Sequence, residues 1–118
     1  MPLYESTFII RQDLSRQDVD KLMENYTDLI KKDGGKVVKN EYWGLRNLAY
    51  KVKKYKRAHY NMLAIDAPFA PVQEMQRVAG HSEEVLRNMT IRVDAIDKDP
   101  SAIIRNDREE ETTIEDEI

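Results

Sequence analysis

Cysteine is absent from the 118 residues, and glycine and proline are scarce, with four of each. Without thiols the chain can form no disulfide, no thiol nucleophile and no thiolate metal site, so it is compatible with a reducing compartment. No apolar run approaches the roughly 20 residues that span a bilayer. The first residues, Met-Pro-Leu-Tyr-Glu-Ser-Thr, lack the basic and apolar regions of a secretory signal. We therefore expect a soluble, cytoplasmic protein with no membrane partner.

Charge is abundant, and it is divided unevenly along the chain. Charged residues make up 35% of the sequence, and the net charge is −3. Residues 36–60 carry a balance of +7, whereas residues 97–118 carry a balance of −6. The local field, and not the net charge, decides what a polyanion meets. The basic segment also contains Trp43 and several tyrosines, and aromatic rings interleaved with cations suit a nucleic-acid surface.

The first part of the chain predicts a strand followed by an amphipathic helix. Leu3–Arg11 is rich in β-favouring residues and contains neither glycine nor proline. Ser15 is a good N-cap, and Asp18, three residues later, completes a variant of the capping box. Asp33-Gly34-Gly35 is typical of a helix end. The predicted apolar stripe of this helix is Val19, Leu22, Met23, Tyr26, Leu29 and Ile30.

The next part predicts a hairpin, a second helix and a last strand. The expected extents are 36–48 and 58–66 for two strands, 51–57 for a lysine-rich hairpin tip, 71–80 for a helix and 89–93 for the last strand. Gly44 indicates a bulge or a close backbone approach in the second strand, and Pro71 suits the first position of the helix. Residues 82–86 resemble a further helical turn. Met89, Ile91 and Val93 alternate with polar residues, which predicts a half-buried strand.

The element order β-α-β-β-α-β predicts an α+β protein with the ferredoxin-like split βαβ fold. Right-handed crossovers would place both helices on one face of a four-stranded antiparallel sheet. Residues 1–96 form this predicted domain. Residues 97–118 combine high charge with scattered apolar residues, so we expect an acidic, disordered tail. The fold does not decide the function, because RNA binders, small enzymes and regulatory modules share it.

RNA binding through the central hairpin is the first functional hypothesis. Arginines can contact phosphates in a bidentate manner, whereas lysines act as point charges. The competing interpretation is a surface hairpin that its lysines merely keep soluble. The aromatic signature of an RNA-recognition motif is absent, since the third strand reads Arg-Ala-His-Tyr-Asn-Met-Leu.

Catalysis is the second hypothesis, and the sequence does not favour it. His59 and His81 have no acidic or nucleophilic partner at a recognisable spacing. No glycine-rich phosphate loop, His-Glu-x-x-His motif or nucleophile elbow occurs. We therefore expect no enzymatic activity, no cofactor, no metal site and no small-molecule substrate. A third hypothesis is a protein-interaction or ligand-sensing module, in many cases dimeric through its sheet edges.

Residues 44–53, Gly-Leu-Arg-Asn-Leu-Ala-Tyr-Lys-Val-Lys, resemble the signature of the bacterial ribosomal protein S six family of the small subunit. That pattern runs Gly, any residue, a basic residue, a polar or charged residue, Leu, Ala or Ser, Tyr, any residue, Ile, then a basic or small polar residue. Val52 in place of Ile is the one departure. Tyr4-Glu5 and residues 85–93 are also similar to the family, so the resemblance spans about residues 1–95.

The resemblance implies a structural, non-enzymatic role in the small ribosomal subunit. Family members bind the central domain of small-subunit ribosomal RNA together with ribosomal protein S eighteen, with which they form a heterodimer. The candidate RNA-binding residues are Arg46, Lys51, Lys53, Lys54, Lys56, Arg57, Arg87 and Arg92; Lys54, Lys56 and Arg57 rest on charge alone. The candidate partner-protein interface is Trp43, Leu48 and Tyr50. The alternative is a non-ribosomal ferredoxin-like protein-interaction or ligand-sensing module with a basic hairpin.

Overall fold

The computed structural model describes residues 2–96. They form one four-stranded antiparallel sheet, in the order β2-β3-β1-β4, and two helices. The elements are β1 (Leu3–Arg11), α1 (Arg16–Lys32), β2 (Lys36–Val52), β3 (Tyr55–Asp66), α2 (Phe69–Gly80) and β4 (Val85–Val93). The predicted ferredoxin-like α+β architecture is confirmed. The predicted acidic tail, residues 97–118, lies outside the described residues.

Helix α1 begins and ends as its sequence predicts. The Asp18 amide donates to Ser15 Oγ at 3.1 Å, and the Ser15 amide donates to Asp18 Oδ2 at 3.2 Å, which completes a capping box. Gly34 then adopts a left-handed φ of 88°, a conformation that glycine enters at little cost. The buried residues of the helix are Val19, Met23, Tyr26 and Ile30, and Leu22 and Leu29 pack beside them.

One hydrophobic core lies between the helices and the sheet. The ring of Phe8 on β1 stacks on the ring of Tyr26 on α1, with centroids 4.9 Å apart and planes inclined by 19°. Burying each large apolar side chain stabilises the fold by about 1.5–3 kcal/mol. The core contains Tyr4, Phe8, Ile10, Val19, Met23, Tyr26, Ile30, Leu63, Ile65, Ala67, Val72, Met75, Ala79 and Val85. The sheet therefore has a helix-covered face and a second face, called here the open face.

Two local predictions around α2 were wrong. The helix begins at Phe69, two residues before the predicted start, with Pro68 as its N-cap. Pro71 still lies in the first turn, where its missing N–H costs no helical hydrogen bond. The predicted helical turn at residues 82–86 is instead a bend in which the Glu84 amide donates to Ser82 Oγ at 3.2 Å. Strand β4 then starts at Val85.

The apolar residues of β4 lie on the opposite face from the core. Met89 and Ile91 pair with Thr7 and Glu5 of β1, whose side chains point away from the helices. They are 46% and 59% exposed, so the predicted half-buried strand has its apolar side on the open face. On the helix-covered side, β4 instead presents polar residues such as Asn88, whose amide donates to Ser6 Oγ at 2.8 Å.

Neither helix in the described part of the chain is both long and apolar enough to cross a membrane.

Candidate nucleic-acid and partner interface

Strands β2 and β3 extend beyond the rest of the sheet. The last pair between β1 and β3 joins Arg11 to Ala58. The pairing of β2 with β3 continues past that point to Asn47 and Arg57, and it resumes with Val52 and Tyr55 around a tight turn. Residues 47–57 therefore project past β1, and they are called here the hairpin arm. The turn itself contains Lys53, which adopts a left-handed φ of 58°.

The hairpin arm carries five basic residues and no acidic residue. All five are exposed: Lys51, Lys53, Lys54, Lys56 and Arg57. The Arg57 guanidinium donates to the Leu45 carbonyl at 3.5 Å, and the Lys54 ammonium lies 5.7 Å from the centroid of the Tyr55 ring. The net charge of the chain is −3, so the arm is a local concentration of positive charge on an otherwise acidic protein. Such a feature attracts a polyanion.

A β-bulge at Gly44 shapes the strand that leads into the arm. The register between β2 and β3 shifts between Tyr42 and Gly44, and Gly44 has a φ of 99°, a value that glycine adopts without strain. The Arg46 side chain lies over the bulge and donates from Nε to the Trp43 carbonyl at 2.9 Å. Arg46 is only 5% exposed, so of the eight predicted RNA-binding residues it is the most enclosed.

A small cluster on the open face contains two of the three predicted partner residues. Ile9, Ala58 and Tyr60 are buried there, although no helix covers this face among the described residues. Trp43, Leu48 and Leu86 pack against them, and the six residues are called here the open-face cluster. The third predicted partner residue, Tyr50, belongs to the hairpin arm and is 64% exposed.

A small, solvent-open cavity of about 30 Å³ lies where the hairpin arm meets β1 and β4. Its lining residues are Ile9, Leu48, Ala49, Tyr50, Val52, Tyr60 and Arg87. The structure thus brings Arg87 together with two predicted partner residues. Arg92 is separate from this site. It pairs with Tyr4 on the helix-covered side, toward the end of the sheet opposite the arm.

Tyr60 is the most enclosed polar group of the cavity. Its side chain is 1% exposed, and its hydroxyl has no hydrogen-bond partner among residues 2–96. Burial raises the pKa of Tyr60, and the positive charges of Arg87 and Arg46 offset part of that rise. The cavity is therefore positively charged, and the Tyr60 hydroxyl is able to donate a hydrogen bond.

His59 joins the base of the hairpin to the loop after β1. Its Nε2 lies 2.7 Å from the Leu14 carbonyl, and its Nδ1 lies 2.7 Å from the Tyr42 hydroxyl. A carbonyl can only accept, so Nε2 donates to Leu14, and Nδ1 is left to pair with the Tyr42 hydroxyl. Arg16 stacks over the Tyr42 ring, 3.9 Å from its centroid. These contacts position β2 and β3. In the described part of the chain, no group of three or more His, Asp and Glu side chains could hold a metal ion.

Sequence reasoning missed Ile9 and Tyr60 as site residues. The register of β1 with β3 places them opposite each other, and Arg87 is the partner of Ile9 on β4. These pairings join segments that are far apart in the chain, so no local sequence pattern predicts them. An aromatic residue in the middle of the third strand was the one available signal.

Comparison with known proteins assigns the chain to a family. The model of the family described as Ribosomal protein S6 matches residues 3–92. The chain belongs to the ribosomal protein S6 family. It is 54% identical over 106 residues to small ribosomal subunit protein bS6 of Parvibaculum lavamentivorans, an alignment that covers 90% of this chain and 68% of that protein. It is 44% identical over 116 residues to the bS6 protein of Rickettsia bellii, with 98% and 97% covered.

A solved structure supports the same assignment. The crystal structure of 30S ribosomal protein S6 from Thermotoga maritima matches with a TM-score of 0.73 at 28% sequence identity, covering 78% of this chain and 87% of that one. The resemblance found in residues 44–53 is thereby confirmed. The protein is a structural, non-enzymatic component of the small ribosomal subunit, and its place is the ribosome in the cytoplasm.

Proposed function

We propose that this chain binds the central domain of small-subunit ribosomal RNA through its hairpin arm. We further propose that it does so as a heterodimer with ribosomal protein S eighteen, which it meets through the open-face cluster and Tyr50. The observation that carries the proposal is the hairpin arm itself. Five exposed cations and no acid project from the sheet of a chain whose net charge is −3.

The RNA contacts are assigned to the exposed cations of the arm. Arg57 can hold a phosphate with two N–H groups, and the four lysines act as point charges that neutralise neighbouring phosphates. Arg46 is left out of this set, because its guanidinium is enclosed and donates to the Trp43 carbonyl. Arg92 lies away from the arm on the other side of the sheet and is left out for that reason.

The partner contacts are assigned to the open face. Trp43 and Leu48 pack there against Ile9 and Tyr60, and no helix covers them among the described residues. Exposed apolar side chains continue this surface outward, namely Tyr50, Met89 and Ile91. Several exposed apolar side chains on one face of a small protein favour an interaction site there.

A titration with and without the partner tests the cooperative part of the proposal. Central-domain RNA is titrated with this chain alone, and then with an equimolar mixture of the chain and ribosomal protein S eighteen. We expect weak binding by the chain alone and much tighter binding by the mixture, because the two proteins together form the RNA-binding surface. Tight and specific binding by the isolated chain would contradict this.

A matched pair of triple variants tests the arm. One variant carries K53Q, K54Q and K56Q in the arm, and the control carries K21Q, K31Q and K32Q on α1, where the lysines are also exposed. Both variants lose the same charge. We expect the arm variant to reduce the slope of log affinity against log salt by about 2–3, at roughly 0.7–0.9 for each lost phosphate contact. Equal slopes in the two variants would show that the arm makes no specific phosphate contacts.

A further inference from the structure

Tyr60, which lines the cavity beside the hairpin arm, carries a hydroxyl that nothing in residues 2–96 uses as a hydrogen-bond partner. The Tyr60 hydroxyl is buried and has no hydrogen-bond partner among those residues. Buried polar groups without a partner are rare in folded proteins, and an individual case calls for an explanation. Tyr60 could be phenylalanine if its only task were to pack against Ile9 and Ala58. The hydroxyl is therefore a candidate contact for a ligand.

The residues around this hydroxyl favour a negatively charged ligand. Arg87 lines the same cavity, and Arg46 lies close enough to act on the Tyr60 phenol through its positive charge. A donor close to positive charge favours an acceptor that is negatively charged. The remaining walls are mostly apolar, with Ile9, Leu48 and Val52 among them, and they suit the methylene groups of a side chain.

We propose that this cavity receives an aspartate or glutamate side chain of the protein partner, with Tyr60 donating to one carboxylate oxygen and Arg87 pairing with the other. The inference rests on the proposed function, since it specifies the contact made on the open face. It moves Arg87 from the RNA contacts, where the sequence placed it, to the protein interface.

Two observations favour a carboxylate over an RNA phosphate. None of the lysines of the hairpin arm lines the cavity, and Arg87 is the one cation that does, whereas phosphate sites on RNA-binding surfaces gather several cations. The cavity is also continuous with the open-face cluster, because Ile9, Leu48 and Tyr60 belong to both. A partner seated on that cluster would reach the cavity directly.

Calorimetric titration of ribosomal protein S eighteen into the full chain tests the proposal. We expect Y60F to weaken the complex by about 10- to 100-fold, the effect of losing one hydrogen bond to a charged group. We expect R87Q to weaken it as well. The matched controls are Y26F, a buried tyrosine of α1 on the helix-covered side, and R92Q, an arginine on β4 on the same side. Both controls should bind as the wild type does.

Two further measurements separate the possible failures. The isolated Y60F chain should be as stable as the wild type or more stable, because the hydroxyl that it loses has no partner. A less stable Y60F chain would show that a group of this chain already fills the cavity, and it would overturn the proposal. RNA titration of the variants without partner should match the wild type. A loss there would assign the cavity to a phosphate.

The outcome for the partner complex completes the test. Unchanged binding by Y60F and R87Q, with a wild-type complex present, would show that the cavity holds water only, and it would overturn this inference alone. No complex with the wild-type chain would overturn the heterodimer in the proposed function, and this inference with it. The two failures are thus distinguishable.

Discussion

The two faces of the sheet are closed in different ways. On the helix-covered face, Ile10 and Leu63 are buried beneath the apolar stripes of two helices. On the open face, Tyr60 and Met62 are as deeply buried, but two charged residues, Glu41 and Arg46, are buried beside them. The open face also leaves Met89 and Ile91 exposed at its edge. The first face is closed by the two helices, whereas the second is only partly packed and is still able to receive a partner.

Truncating one apolar residue on each face, buried on the first and exposed on the second, should give the largest contrast. Phe8 is fully buried and stacks on Tyr26, so F8A should cost about 3–5 kcal/mol of unfolding free energy. I91A on the open face should change it by less than about 0.5 kcal/mol, because Ile91 is mostly exposed. Urea denaturation followed by circular dichroism measures both. A large loss of stability in I91A would mean that the open edge contributes to folding after all.

Removing His59 should have the next largest effect. H59L leaves the Leu14 carbonyl and the Tyr42 hydroxyl without their partner, and an unsatisfied buried polar group costs about 1–3 kcal/mol. H81L changes the other, exposed histidine and should be nearly neutral. The same denaturation experiment compares the two. Equal stabilities would show that the contacts at the base of the hairpin are dispensable.

Replacing the bulge glycine should cost less than removing His59, and it tests the open face directly. Gly44 has a φ of 99°, where a side chain costs about 1–2 kcal/mol. G80A is the control, since a Cβ added at Gly80 would meet no other atom within 4 Å and Gly80 has no positive φ. We expect G44A to be less stable and to bind ribosomal protein S eighteen more weakly, because the bulge positions Trp43. Wild-type behaviour of G44A would show that the bulge can be rebuilt without glycine.

The sequence predicted the helix-covered face better than the open one. The stripe of α1 has one interpretation, because residues three and four apart must share a face of a helix. The alternation of Met89 and Ile91 has two interpretations, because a strand with a period of two residues can turn either of its sides toward the core. Pairing with β1 decides between them, and that register is a tertiary property. The cavity formed by Ile9, Tyr60 and Arg87 depends on the same register.

Alkaline pH should weaken the fold through both faces. Burial raises the pKa of Tyr26 on the helix-covered side and of Tyr60 on the open side. When the folded-state pKa is raised above the unfolded value, the folded protein keeps its proton longer. That contribution to stability is complete below about pH 10, the unfolded pKa of tyrosine, and is lost as the pH rises further. Denaturation at increasing pH should show this decline, and it should be shallower in Y26F and in Y60F.

The smallest expected effect concerns Tyr60 alone, and it distinguishes the two faces. Arg87 offsets part of the rise that burial causes in the pKa of Tyr60, whereas it is not among the groups that act on Tyr26. R87Q removes a positive charge from the cavity, so the pKa of Tyr60 should rise further and that of Tyr26 should stay constant. A spectrophotometric titration of tyrosinate in R87Q, with the Y60F and Y26F backgrounds to assign each phenol, measures both. An unaltered Tyr60 titration would mean that the Arg87 charge does not reach the cavity, and it would remove the charge argument for a carboxylate ligand there.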